Sequence, residues 1–120
     1  MPNPVVHFEI GCRDREKTTA FYQQLFDWQM TPGAISTDIV TGEGDPVTGH
    51  IVSLGHEPHF YTNFYVQVAD LTDALHKAEA LGGKIVIPPV PIPGSNDFFA
   101  WFADPDGNMI GLRQRGAPEA

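Results

Sequence analysis

Asp104-Pro-Asp-Gly-Asn-Met-Ile-Gly-Leu-Arg113 decides how this chain is read. Pro105 pre-sets φ, Asp106 accepts turn geometry and Gly107 supplies positive φ, so the stretch is a tight turn running into a strand with alternating faces. Upstream, Gly49-His-Ile-Val-Ser-Leu54 repeats Gly107-Asn-Met-Ile-Gly-Leu112 in its Gly, its apolar pair and its Leu. The repetition suggests one plan used twice.

Working outward, the second half opens at Phe60 to Val68, where Tyr61, Asn63, Tyr65 and Gln67 share one strand face and Phe64, Val66 and Val68 the other. Asp70 caps a helix whose buried side is Leu71, Leu75, Ala78 and Leu81, ended by Gly82-Gly83. Lys84 to Ile87 is a strand stopped by Pro88-Pro89, and Asp97 to Phe102 is an aromatic strand entering the quoted turn. Phe98 or Phe99 and Trp101 are expected to pack the core or a dimer contact, while one alternate set of that strand faces the central cavity.

The first half runs in the same order. Val5 to Ile10 places Val5, His7 and Glu9 on one face and Val6, Phe8 and Ile10 on the other. Asp14 caps a helix over Arg15 to Phe26, with Thr18, Phe21, Tyr22, Leu25 and Phe26 as the apolar stripe expected to lie on a sheet. Trp28 to Met30 and Ala34 to Val40 follow as strands around Pro32-Gly33, then a loop from Thr41 to Val47, then a strand over His50 to Leu54. His7 to Asp14 and Asn63 to Asp70 have the same spacing, so the chain reads as β-α-β-β-β twice, over about residues 4–55 and 59–113 of one domain, with 114–120 as a tail.

Composition narrows the function. Fifteen acidic against seven basic side chains give −8, which repels phosphate backbones and anionic membranes, so neither nucleic acid nor membrane is an expected partner. No apolar run approaches the ~20 residues of a membrane span. Cys12 stands alone, which excludes an internal disulfide, and no cleavable leader begins the sequence, so a reducing, cytoplasmic setting is expected.

These residues resemble the vicinal oxygen chelate superfamily, the glyoxalase, bleomycin-resistance and ring-cleaving dioxygenase group. The resemblance is carried by Val6-His-Phe-Glu-Ile10 with Asp14, Phe21-Tyr-Gln-Gln-Leu-Phe-Asp-Trp28, Asp70 with Ala78-Glu-Ala-Leu-Gly-Gly-Lys84, and Phe102-Ala-Asp-Pro-Asp-Gly-Asn-Met-Ile-Gly-Leu112. It implies an α+β fold of two βαβββ modules in an open, cupped, eight-stranded mixed sheet with helices outside, usually homodimeric, with the site in the cup. Relatives that use a divalent metal hold it from up to four cup positions, which map here to His7, Ser53, Asn63 and Gly111. Only His7 is a good ligand, and Gly111 stands where metal-using relatives carry Glu, so the usual metal centre is not expected and no other cofactor is implied.

A relocated metal site would draw on His50, His56 and His59 near the seam, with Glu9 beside His7. Their spacing matches no zinc signature, His76 sits on a helix, and strand alternation turns His50 away from the face of Ile51 and Ser53. The inward set is then Val5, His7, Glu9, Ile51, Ser53, Tyr61, Asn63, Tyr65, Gln67, Met109, Gly111 and Arg113, a lining suited to a small organic ligand. His7 and Glu9, two residues apart and about 7 Å from each other, are the candidate acid and base. Tyr65 or Asn63 could stabilise developing negative charge. The alternatives are a bleomycin-resistance-like protein that sequesters a ligand without chemistry, and a metal-dependent glyoxalase-like lyase or dioxygenase.

Overall fold

A computed structural model describes residues 2–55 and 59–116. Eight strands and two helices follow one another as β-α-β-β-β twice. The chain falls into two compact units, Val6–Asn63 and a second that joins the described parts of Met1–Val5 and Phe64–Ala120. Both mix parallel and antiparallel pairs and place a helix against an open sheet, so the fold is α+β.

The first unit contains β1 (Val5–Gly11), α1 (Arg15–Phe26), β2 (Gln29–Pro32), β3 (Ser36–Val40) and β4 (Thr48–Val52). Its sheet runs β2-β3-β4-β1, with β1 parallel to β4 and the remaining neighbours antiparallel. The Asp14 carboxylate accepts from the Lys17 amide and starts α1; Asp27, at φ 59°, ends it in the left-handed region that Asp tolerates. Ile10, Cys12, Ile39 and Ile51 form the core under this helix, joined by Phe8, Tyr22, Trp28 and Met30.

The helix is rotated from the expected orientation. Phe21, Leu25 and Phe26 are exposed, and no residue of α1 is fully buried. The inward face is instead Arg15, Thr18, Thr19 and Tyr22, which fit the three and four residue spacing equally well and turn buried polar atoms of Arg15 and Thr19 toward the sheet. Tyr22 decides the rotation by stacking on Trp28, whose ring also meets Phe8.

The second unit contains β5 (Tyr61–Gln67) from Phe64 onward, α2 (Leu71–Ala80), β6 (Lys84–Pro91), β7 (Phe98–Ala103) and β8 (Met109–Gln114), with sheet order β5-β8-β7-β6. Asp70 caps α2 through the Asp73 amide, and Leu71, Leu75, Ala100 and Leu112 are its core. Gln114 is 1% exposed and accepts from the Leu71 amide, which satisfies a helix-start donor that no backbone group can reach. β6 does not stop at Pro88-Pro89 but continues to Pro91, with irregular register between Ile85 and Val90. It ends the strand order of its unit, and an outer edge needs no amide donors.

The turn after β7 forms as its residues demand. Gly107 has φ 96° and its amide donates to the Asp104 carbonyl, while the Asp104 carboxylate accepts from the Asp106 and Asn108 amides and from the Asn108 side chain. Those bonds, the Asn108 side chain first, hold the Asp104 carboxyl below its ordinary range. Phe98 and Phe102 lie on the α2 side, and Trp101 lies on the other, donating to Tyr65.

Candidate active site

In the first unit, strand pairing sets two adjacent rows across the sheet. Glu9 stands opposite His50, His50 opposite Asp38, and Asp38 opposite Thr31; one row along, His7 stands opposite Thr48 and Thr48 opposite Val40. Directly opposed residues point to the same side of a sheet. The core under α1 takes Ile10, Ile39 and Ile51 from the other side.

The side chains along these rows are joined end to end. His7 Nδ1 lies 2.8 Å from Thr48 Oγ1, His7 Nε2 lies 2.7 Å from His50 Nδ1, and His50 Nε2 lies 3.2 Å from Glu9 Oε1. The Tyr61 hydroxyl donates to Glu9 Oε2. Glu9 is 3% exposed, and the rings of His7 and His50 stack with their centroids 4.9 Å apart.

Hydrogen-bond chemistry gives this chain one direction. With Glu9 ionised and both rings neutral, the carboxylate only accepts, so His50 carries its proton on Nε2 and presents a bare Nδ1. His7 then donates from Nε2 and accepts from Thr48 at Nδ1. Every donor, from Thr48 at one end and Tyr61 at the other, points toward Glu9. The pair of rings can hold one extra proton between them, because a second would set N–H against N–H.

Glycine clears the way for this arrangement. A Cβ at Gly11 would overlap the Tyr61 ring, and one at Gly49 would overlap Phe8. The phenol reaches Glu9 across the bare backbone of β1 for that reason.

The two faces of β4 are exchanged from those expected. Ser53 lies beyond β4, is exposed, and donates to the Arg13 carbonyl at 3.0 Å, while Ile51 is 0% exposed on the α1 side. His50 is the inward residue, and β4 begins at Thr48 rather than His50. The error came from aligning Gly49 with Gly107. Pairing sets His50 against Glu9 and Gly111 against Tyr65, so His50 is the counterpart of Gly111, three residues from Ser53. An odd slip exchanges the two faces of a strand. The missed signal was Ile51 itself, which belongs with the oily residues Phe8 and Ile10.

The remaining candidates divide between the units. Asn63 is 6% exposed in the first. In the second, Tyr65 opposes Gly111, and its ring occupies the space that a side chain at 111 would need. Arg113 opposes Gln67, Met109 opposes Ala103, and the Arg113 guanidinium donates to Asp97 at 3.0 Å. That bond is the first cause holding the Asp97 carboxyl below its ordinary range, with the Gly116 amide next. His59 is half-buried, His76 is exposed on α2, and His56 lies outside the described residues.

A divalent ion needs donors that converge on one point at ~2 Å. His50 turns one nitrogen to His7 and the other to Glu9, so these donors form a line, and among the described residues no three His, Cys, Asp or Glu are placed to hold a metal. As arranged, the set does not fit a bound divalent ion.

Residues 5–112 match the family model of the Glyoxalase/Bleomycin resistance protein/Dioxygenase superfamily, and the chain belongs to that superfamily. It is 30% identical to a lactoylglutathione lyase of Oryza sativa subsp. japonica over 92% of this chain and 44% of that protein. A probable chloroplastic lactoylglutathione lyase of Arabidopsis thaliana is 29% identical over 88% of this chain and 34% of its own length. The chain thus spans less than half the length of these curated relatives. Methylmalonyl-CoA epimerase from Mycobacterium tuberculosis shares the fold at TM-score 0.71 and 11% identity, covering 94% of this chain and 88% of that one.

Proposed function

We propose that this chain is a glyoxalase-like enzyme that moves a proton on a small carbonyl compound, using the Glu9–His50–His7 line as its base and no divalent metal. The continuous hydrogen-bonded line with one direction carries the reading. Relatives named as lactoylglutathione lyases support a glyoxalase-like enzyme.

The steps follow from the tautomers. A substrate that displaces the exposed Thr48 hydroxyl meets the bare Nδ1 of His7. As its C–H bond breaks, the proton bonds to His7 Nδ1, the proton on His7 Nε2 passes to His50 Nδ1, and the electron pair stays on the substrate as an enolate. His50 becomes an imidazolium beside the Glu9 carboxylate, which favours the transfer electrostatically. Tyr61 holds the second carboxylate oxygen and fixes Glu9 in place. Reversal of the same transfers reprotonates the carbon. Glu9 works through His50, so it is a positioning and charge-stabilising residue.

The test is hydrogen–deuterium exchange at the α-carbon of small carbonyl compounds in D2O, after elemental analysis of the purified protein. Metal-free protein should catalyse exchange, with losses of about 100-fold in His7→Ala and His50→Ala. Stoichiometric metal that is lost in His7→Ala, with activity following the metal, would sink the reading. Binding without exchange in any compound would favour ligand sequestration instead.

A further inference from the structure

The row that holds Glu9 and His50 continues to Asp38, which stands directly across from His50 on β3. Asp38 is exposed, and among the described residues it makes no hydrogen bond or ion pair with a side chain. Opposed residues of an antiparallel pair have Cβ atoms about 5 Å apart. His50 therefore sits between two carboxylates, one buried and held by Tyr61, the other facing solvent. The strands β1, β2, β3 and β4 contain no Lys or Arg.

We propose that Asp38 determines specificity at this site, selecting ligands that carry a cationic group on the β3 side of the atom that meets His7. This rests on the reading of Glu9, His50 and His7 as the reacting centre. The Asp38 carboxylate lies on the same face, one strand beyond His50 and diagonal to Thr48, where the substrate meets His7. An ammonium placed between Asp38 and the row gains a direct charge contact, while an anionic group there is repelled by two carboxylates. A phosphate-rich or polycarboxylate carrier is disfavoured on this face, and a small amine or quaternary ammonium carbonyl compound is favoured.

A pair of ketones that differ only in charge tests this. Acetonyltrimethylammonium and its neutral isostere 4,4-dimethylpentan-2-one are titrated into wild type, Asp38→Asn, Asp38→Lys and His50→Ala by calorimetry at low and high salt. Wild type should bind the cation about five- to tenfold more tightly than the neutral ketone, with the preference shrinking as salt rises. Asp38→Asn should remove most of that ratio and leave neutral-ketone affinity unchanged, and Asp38→Lys should reverse the ratio. His50→Ala should weaken both ligands and keep the ratio. Equal binding of the two by wild type, or a ratio that survives in Asp38→Asn, overturns the role of Asp38 and leaves the reacting centre standing. Wild type that binds neither ketone, or His50→Ala that binds both as wild type does, overturns the site itself and this proposal with it.

Discussion

His50 and Glu9 face each other across the parallel pairing of β4 and β1, with Nε2 3.2 Å from Oε1, although the two residues are far apart in sequence. The carboxylate fixes the tautomer of one ring, and that ring fixes the next. Both His7 and His50 should therefore carry their proton on Nε2 when neutral. Nitrogen-15 shifts of the imidazoles, measured through two-bond couplings, will show this. Glu9→Gln should scramble the pattern, because an amide can donate as well as accept; a wild-type Nδ1–H signal at His50 contradicts the assigned direction.

Gly11 should tolerate no side chain while Tyr61 is present. Gly11→Ala forces the ring aside and should cost about 1–3 kcal/mol of stability by overpacking. In a Tyr61→Ala background the same substitution should be nearly neutral, since the atoms that clash are gone. Denaturant melts of the four proteins complete the cycle, and additive costs would show that the two positions do not meet.

The rotation of α1 predicts opposite outcomes from neighbouring residues. Phe21→Ser and Leu25→Ser, on the exposed face, should change stability by no more than about 0.5 kcal/mol. Tyr22→Ala removes a ring stacked on Trp28 and Phe26 and should cost about 2 kcal/mol or more. If Phe21→Ser proves the costlier change, the helix lies the other way round.

Two carboxyls should shape the acid limb of stability. Asp97 and Asp104 both ionise below the ordinary Asp value of 3.8 in the folded chain, held by Arg113 and by Asn108 respectively. A depressed folded value means that stability is fully present above the unfolded value and is lost as pH falls through the folded one. Asp97→Asn and Asp104→Asn should flatten the fall in stability below about pH 4 and lower stability at neutral pH. Unfolding curves across pH 2 to 7 that retain the wild-type slope in both variants would exclude this source of acid lability.

Much of the architecture could be read from local chemistry. Capping by Asp14 and Asp70, the turn at Asp104 to Gly107, and the alternation of Val5 to Ile10 depend on neighbours within a few residues, and each formed as expected. The helix stripe of α1 was not decided locally, because Arg15-Thr18-Thr19-Tyr22 and Thr18-Phe21-Tyr22-Leu25 share one period, and the contact with Trp28 selected between them. Proline position was ambiguous in the same way. A run containing Pro88 and Pro89 can be a strand only at an edge, and edges exist only once the sheet is assembled.

The sequence by itself determined the duplicated β-α-β-β-β order, the superfamily, and His7 and Glu9 as members of one face. Tertiary structure alone decided that His50 joins them, that Ser53 does not, and that Tyr61 closes the line at Glu9. The physical reason is register. A strand's two faces exchange with every single-residue slip, and nothing within β4 states which residue of β1 it will oppose until backbone hydrogen bonds and the burial of Ile51 settle the pairing.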